Sequence, residues 1–386
     1  MKVVIVHDYL NQRGGAERVV AVLHEMYPEA PIYTLFVDRA KLWPAMRDAT
    51  IIPSILQRFP FIVNHFKLFF WLYPFAIRTL RLPPCDVIIT SSSAYAKGVR
   101  LPRRGSRPVH ACYCHTPMRF AWDYDRYIAH ETNSRFLARM ARVLVPSLKW
   151  WDVHTSRQVD AFITNSTAVK DRVQTLYHRD AVVIHPPVDT NRSTGVPLVP
   201  GNTDYYLLVA RLVSYKRLDL AVRACTSSAR NLVVIGTGPD LARLQSMAGP
   251  TVQFVGWQTD AAVDQYMSGC RALLFPGEED FGIAPIEANA TGKPVVAYRA
   301  GGALDTIQHG VNGIHFADPT VESLLFALAE LETKVWDAAQ IRRHAAKFSH
   351  PRFERQFRTY IERLVANSGR LSRDVTLTVH EGGIAQ

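Results

Sequence analysis

Short apolar runs alternate with stretches of helical periodicity along most of the chain. Residues 3–6 form the first run, and a polar loop with Gly14 and Gly15 separates it from apolar positions 19, 20, 22, 23 and 26, which repeat with the period of a helix. A strand, a glycine loop and a helix in this order are typical of the start of a Rossmann-like unit. Further strand-like segments at 86–90, 110–115 and 160–166 predict a mainly parallel sheet covered by helices on both faces.

The same pattern begins again in the second half. Residues 185–204 contain the Ser, Gly and Pro of a linker, and strand-like segments follow at 205–210, 231–236, 252–255, 272–275 and 294–297. The 386 residues suit two domains of roughly 150 to 200 residues each. We therefore expect α/β domains at 1–190 and 191–350, a C-terminal helix at 351–367 that can cross back to the first domain, and a tail at 368–386.

Composition narrows the class of protein. Hydrophobic residues make up 48% and charged residues 20%, which is typical of globular proteins and excludes a disordered chain. The five cysteines show no C-x-x-C spacing, so neither a zinc site nor a redox site is indicated. The N-terminal apolar run meets His7 and Asp8 too early for a secretory signal. We expect a cytoplasmic protein.

The positive charge is concentrated in the first half. The net charge is +11, and between Asp48 and Asp123 a single acid, Asp86, stands against ten basic residues. Such a field attracts anionic lipids, phosphorylated ligands or nucleic acid, while a solvated basic face without a partner is the alternative. Nucleic acid is disfavoured, because apolar runs interrupt the basic stretch and no nucleic-acid motif accompanies it.

Residues 59–77 combine many aromatic residues with basic ones and contain no acid. The uninterrupted apolar run at 68–73 has 6 residues, far fewer than the roughly 20 that a membrane-spanning helix needs. A basic, aromatic-rich segment can lie in the interface of an anionic membrane. It can equally form an aromatic core helix or a subunit contact, and the sequence leaves both possibilities open.

The strongest chemical signal lies at residues 276–297. Glu279 and Glu287 are separated by seven residues around Gly282, between a strand ending near Phe275 and one starting at Pro294. This places both carboxylates at the C-terminal edge of a parallel sheet, where open α/β domains bind ligands. Amides at a helix start suit a phosphate, and a carboxylate can accept hydrogen bonds from ribose hydroxyls.

This stretch closely resembles the E-x7-E signature of glycosyltransferase family 4, including the Phe-Gly pair and the Gly-Lys-Pro-Val-Val-Ala that follows. The resemblance covers residues 1 to about 365. It implies a retaining enzyme of the GT-B fold, with two Rossmann-like domains whose parallel sheets face an interdomain cleft. It further implies that Glu287 binds the nucleotide ribose, that Glu279 faces the donor sugar, and that Val255, Phe281, Gly282 and Ile283 also contact the donor.

Three more motifs resemble the family in the expected order. Gly14 and Gly15 match its N-terminal glycine loop, which lets the main chain approach the donor phosphate. His115 precedes Thr-Pro-Met and Arg119, so the resemblance implies that His115 orients the sugar and that Arg119 contacts the acceptor or another anion. His7 is a weaker candidate. The pair expected to hold the diphosphate is Arg211 and Lys216.

These features predict a hexosyltransferase of cell-surface polysaccharide synthesis that needs no metal or other cofactor. The D-x-D sequence at 123–125 resembles a metal motif of a different glycosyltransferase architecture, but the two cations already fill that role. The Cys-His-Thr-Pro-Met-Arg sequence at 114–119 resembles that of mannosyltransferases, which implies GDP-mannose as the donor, with a UDP-hexose as the alternative. The expected acceptor is a polyprenyl-diphosphate-linked saccharide at the anionic inner face of the cell membrane. A nucleotide-sugar epimerase and a non-catalytic nucleotide-sugar-binding subunit are the rival interpretations.

Overall fold

The computed structural model describes residues 1–59, 61–63, 65–102, 105–123, 135–191 and 204–380. Its N-terminal half contains a 7-stranded sheet with every pairing parallel. In chain order the strands are β1 (Val3–His7), β2 (Ile32–Thr34), β3 (Ile51–Pro53), β4 (Val87–Ser92), β5 (Val109–Cys114), β6 (Ala161–Thr164) and β7 (Ala181–Val183). Their order in space is β3-β2-β1-β4-β5-β6-β7.

Helices cover this sheet. They are α1 (Gly15–Met26), α2 (Tyr73–Thr79), α3 (Arg119–Trp122), α4 (Arg135–Ser156) and α5 (Thr167–Tyr177). Every residue of β1, β4 and β5 is buried, as expected for central strands packed on both faces. The thiols of Cys112 and Cys114 lie in this core and are free.

The second half repeats the architecture with a 6-stranded parallel sheet of order β10-β9-β8-β11-β12-β13. Its strands are β8 (Tyr206–Val209), β9 (Leu232–Ile235), β10 (Val252–Gly256), β11 (Ala272–Phe275), β12 (Val295–Tyr298) and β13 (Gly313–Phe316). Its helices are α6 (Leu218–Ser227), α7 (Leu241–Ser246), α8 (Asp260–Gly269), α9 (Ile283–Ala290), α10 (Ala303–Thr306), α11 (Val321–Glu332) and α12 (Ala338–Ala345). Two parallel sheets with interleaved helices confirm the predicted fold class.

A final helix, α13 (His350–His380), returns to the first sheet. Phe353, Phe357 and Ile361 are buried in the core formed by β1, β4 and α1. The ring of Tyr113 on β5 lies 5.9 Å from that of Phe353. The sequence predicts that this helix ends at residue 367, but in the structure it continues to His380. No proline follows Pro351 to interrupt it.

Residues 59–77 contain both buried and exposed apolar side chains. A 3-10 helix at Phe66–Leu72 leads into α2, and Tyr73, Ala76 and Ile77 are buried. Other large apolar side chains of the segment remain 45 to 71% exposed, namely Phe59, Phe61, Leu68, Trp71 and Phe75. Within the described ranges, every helix is too short or too polar to span a bilayer.

Lys97 is one of the ten basic residues between Asp48 and Asp123, but its side chain does not face solvent. It is 1% exposed, and its ammonium group donates to Asp152, which is also fully buried. Trp122 Nε1 and Tyr177 OH each donate to Asp152 Oδ2 at 2.7 Å. Lys97 therefore belongs to a buried polar network of the first domain rather than to the basic surface.

Candidate functional site

Three polar side chains meet at the C-terminal edge of the first sheet. His7 ends β1, Ser91 is its register partner on β4, and His115 directly follows β5. Ser91 Oγ lies 2.8 Å from His115 Nε2 and 3.1 Å from His7 Nδ1. The carboxyl ends of neighbouring parallel strands lie at one edge, so residues far apart in sequence become a continuous polar row.

The two histidines have opposite electrostatics. Burial, together with the charge of the nearby His7, lowers the pKa of His115 to about 3, so His115 is neutral. Burial also opposes charge on His7, but the neighbouring Glu17 carboxylate, together with Asp8, raises the His7 pKa above its usual value. His7 Nε2 lies 3.9 Å from Glu17 Oε1. A positive charge in this row is therefore favoured on His7 rather than on His115.

Asp8 shapes the loop next to this row. Its carboxylate accepts hydrogen bonds from the backbone N–H groups of residues 93 to 96, at 2.6 to 2.9 Å. Asp8 is buried, so these donors replace the water that the charge loses. No sequence motif marks Asp8 as a residue of the site. Its position directly after the first strand is the one feature of the sequence that indicates a place at the edge of the sheet.

In the second domain, Glu279 lies in the loop between β11 and α9, and Glu287 lies on α9 itself. Gly282 has a φ of 83°, and a Cβ there would lie 2.6 Å from the ring of Phe275, so glycine is required where α9 begins. Glu279 Oε1 lies 2.8 Å from Lys216 Nζ. Burial lowers the pKa of Lys216, but Glu279 outweighs this effect and raises it, so the lysine is charged. Arg211 is exposed and makes no ion pair to the described residues.

The two domains contact one another at these residues. A Cβ on Gly15 would lie 2.8 Å from Ile283 Cδ1, so the glycine loop touches the start of α9. Beside this contact, Arg18 on α1 donates to Glu287 Oε1 at 2.9 Å. Gly14 is the N-cap of α1, and its N–H donates to Glu17 at 3.0 Å.

A second set of ion pairs also crosses the cleft. Arg119 pairs with Asp280 at 2.5 Å, and Arg172 on α5 pairs with both Asp280 and Glu278. The sequence predicts Arg119 as a site residue but gives no indication of Arg18, Arg172 or Asp280. No motif marks the two missed arginines, since an arginine on a helix surface is common.

Other predicted residues lie less directly at the cleft. The ring of Phe281 is buried and stacks on His185 at 5.6 Å, so only its backbone is available to a ligand. Val255 lies on the edge strand β10 and is half-buried. Of the D-x-D sequence, residues 124 and 125 lie outside the described part of the chain. Among the described residues, no group of three His, Cys, Asp or Glu side chains could hold a metal ion.

The cleft thus combines cations, paired carboxylates and a neutral histidine. Lys216 and Arg211 can hold an anionic group. Glu279 and Glu287 can accept hydrogen bonds from hydroxyl groups. A ligand that is both anionic and rich in hydroxyls fits this chemistry.

Comparison with known proteins identifies the family to which the chain is similar. The family model described as Glycosyltransferase Family 4 matches residues 13–192, and the one described as Glycosyl transferases group 1 matches residues 189–348. The chain is 25% identical over 323 residues to the alpha-1,3/1,6-mannosyltransferase ALG2 of Homo sapiens. The aligned residues cover 72% of this chain and 74% of that protein. It is 32% identical over 173 residues to the GDP-mannose-dependent alpha-(1-6)-phosphatidylinositol monomannoside mannosyltransferase of Mycobacterium tuberculosis, covering 38% and 45%.

Solved structures agree on the fold. Anabaena Alr3699/HepE in complex with UDP aligns with a TM-score of 0.67 at 17% identity, over 94% of this chain and 100% of that one. Sucrose-phosphate synthase from Thermosynechococcus elongatus aligns with a TM-score of 0.63 at 16% identity, over 98% and 100%. With consecutive family models matched from residue 13 to residue 348 and two parallel sheets facing one cleft, the chain belongs to glycosyltransferase family 4 and is an enzyme of the GT-B fold.

Proposed function

We propose that this enzyme transfers a hexose, with retention of configuration, from a nucleotide-diphosphate sugar to a glycan acceptor. The observation that carries the proposal is the pairing of Lys216 with Glu279 at 2.8 Å, in a cleft where the glycine loop of the other domain touches α9 at Ile283. A cation for the diphosphate and a carboxylate for the sugar thereby lie side by side. Both domains contribute to the enclosure.

The proposed chemistry needs no protein nucleophile. As the bond between sugar and diphosphate breaks, negative charge develops on the leaving phosphate, and Lys216 and Arg211 stabilise it. The acceptor hydroxyl attacks from the face that the diphosphate leaves, and the departing phosphate oxygen takes its proton. Glu287 binds the ribose, Glu279 binds hydroxyls of the sugar, and the neutral His115 orients the sugar.

Mannose from GDP-mannose is the donor we favour, because two relatives named above are mannosyltransferases and one of those is named as GDP-mannose-dependent. The backbone around Val255, Phe281, Gly282 and Ile283 contacts the donor in this proposal. A UDP-hexose is the alternative, supported by the UDP bound in the HepE structure.

The test is a panel of GDP- and UDP-sugars with extracted polyprenyl-linked acceptors, following nucleoside diphosphate release and labelled lipid. Glu279→Gln keeps the size of the side chain but removes its charge, so we expect turnover with the preferred donor to fall by about 100-fold. Glu330→Gln, on α11 and paired with Lys334, is the matched control and keeps activity. Nucleotide binding without turnover across the panel would favour a non-catalytic subunit, and unchanged turnover in Glu279→Gln would contradict the assigned site.

The acceptor we propose is a polyprenyl-diphosphate-linked saccharide used at the cytosolic face of an anionic membrane, in cell-surface polysaccharide synthesis. Support comes from the exposed apolar side chains of residues 59–77, of which Trp71 is 50% and Phe75 71% exposed. Arg58, Arg78 and Arg81 are exposed in and beside the same segment. Aromatic side chains enter the lipid interface while arginines contact anionic head groups.

Vesicle co-sedimentation tests this surface. We expect the protein to bind vesicles of anionic phosphatidylglycerol but not of zwitterionic phosphatidylcholine, and the Trp71→Gln/Phe75→Gln variant to bind less. Phe326→Gln, which removes a 78% exposed aromatic ring on α11, is the control and keeps binding. Equal binding by both variants would contradict the proposed membrane surface.

A further inference from the structure

A buried chain of polar groups, joined by one ion pair and two hydrogen bonds, connects the glycine loop to His115. Glu17 Oε1 lies 3.9 Å from His7 Nε2, His7 Nδ1 lies 3.1 Å from Ser91 Oγ, and Ser91 Oγ lies 2.8 Å from His115 Nε2. Glu17, His7 and Ser91 are at most 2% exposed, and His115 is 8% exposed. Water has little access to this chain, so each hydrogen must be placed on one of its own atoms.

The backbone determines the direction of these hydrogen bonds. His7 Nδ1 lies 3.0 Å from the carbonyl oxygen of Ser91, and a carbonyl oxygen can only accept, so His7 Nδ1 carries a hydrogen. Ser91 Oγ can therefore accept from His7 but cannot donate to its Nδ1. Among the described residues, His115 Nε2 is the remaining partner within hydrogen-bond distance of this hydroxyl.

We propose that Ser91 is a positioning residue that holds His115 in the tautomer with its hydrogen on Nδ1. Ser91 donates its hydroxyl hydrogen to His115 Nε2, and His7, held by Glu17, keeps that hydroxyl in the donating orientation. Among the described residues, His115 Nδ1 has no hydrogen-bond partner, since the ring is bonded through Nε2 alone, so its hydrogen is available to a ligand. That this ligand is the donor sugar rests on the proposed function.

The surroundings of His115 support a single, fixed ring state. Burial holds its pKa near 3, so the ring is neutral and carries one hydrogen. Its backbone is held as well, because its N–H donates to Ser92 O at 2.9 Å and its carbonyl accepts from Asn165 Nδ2 at 3.0 Å. The tautomer is the remaining variable, and the hydroxyl of Ser91 sets it.

The first test reads the tautomer directly and needs no substrate. Two-dimensional ¹⁵N–¹H correlation spectra of the protein with ¹⁵N-labelled histidine distinguish the two neutral tautomers, and His115→Gln assigns the signal. We expect the Nδ1–H pattern for His115 in the wild-type protein and a shift towards the Nε2–H pattern in Ser91→Ala. An Nε2–H pattern in the wild type would overturn the proposal, whatever the enzyme transfers.

The second test compares kinetics in matched variants. Ser91→Ala should lower kcat by about tenfold with little change in the affinity for nucleoside diphosphate, as is usual when a group that orients a functional histidine is removed. Ser91→Thr retains the hydroxyl and should restore most of the rate. Ser92→Ala is the control on the same strand, since Ser92 Oγ is buried without a hydrogen-bond partner, and it keeps the wild-type tautomer and rate. An unchanged tautomer in Ser91→Ala, or equal losses in Ser91→Ala and Ser92→Ala, would overturn the role of the hydroxyl.

Discussion

The contact between Gly15 and Ile283 yields a sharp prediction about closure of the cleft. A Cβ at Gly15 would lie 2.8 Å from Ile283 Cδ1 and 3.9 Å from Cγ1. Gly15→Ala therefore adds a methyl group that clashes with Ile283 Cδ1 across the cleft. Ile283→Val removes the Cδ1 methyl group and with it the clash. Gly15 has no left-handed φ and begins α1, so alanine is compatible with the local backbone.

The magnitude follows from the geometry. Overpacking a fitted contact costs about 1–3 kcal/mol, and because Cδ1 ends a flexible side chain, we expect the lower limit of about 1 kcal/mol. This corresponds to a loss of about fivefold in the population of the closed arrangement. We expect kcat/KM for the nucleotide-sugar donor to fall by the same factor in Gly15→Ala. Ile283→Val alone should have a small effect, and the double variant should recover most of the loss.

The assay is a double-mutant cycle on kcat/KM, measured by nucleoside diphosphate release. Gly249→Ala serves as the control, because its Cβ would meet Thr226 Cγ2 at 2.7 Å, within the second domain. We expect this control to lower the melting temperature without changing kcat/KM. If Gly15→Ala loses the same factor in the Ile283→Val background, the clash is not the cause, and the close approach of a ligand to Gly15 would explain the loss instead.

Two further predictions concern stability. Lys97→Met leaves the buried carboxylate of Asp152 without its cation, so we expect urea denaturation to report a loss of about 3–5 kcal/mol. A loss similar to that in Lys41→Met, which removes a partly exposed pair with Asp38, would contradict this. Burial lowers the pKa of His110 to about 4 and, together with the nearby His7, that of His115 to about 3, so the contribution of His110 and His115 to the free energy of unfolding should be complete above about pH 6.5. It should fall towards pH 4 by about 1.4 kcal/mol per unit for each histidine. His110→Gln should reduce this slope by one proton, and an unchanged slope between pH 6 and pH 4.5 would contradict the assignment.

Some contacts of the cleft could not be read from the chain because they join distant positions. Arg18 and Glu287 are 269 residues apart, and Arg172 and Asp280 are 108 apart. A helix-surface arginine next to a glycine loop gives no indication of its partner, since the partner depends on how the two domains face each other. Lys97 is a further example within one domain. Its partner Asp152 lies on α4, and only the packing of that helix brings the two side chains together.

The sequence alone determined the alternation of strands and helices, the division into two α/β halves, and the positions of the glycine loop, His115, Lys216 and the two glutamates. These features follow from local periodicity and from short motifs, which act within a few residues along the chain. The tertiary structure decided which residues meet across the cleft and which hydroxyl faces His115 Nε2. The row of His7, Ser91 and His115 exists because three parallel strands end at one edge, and that adjacency is a property of the strand order rather than of any segment.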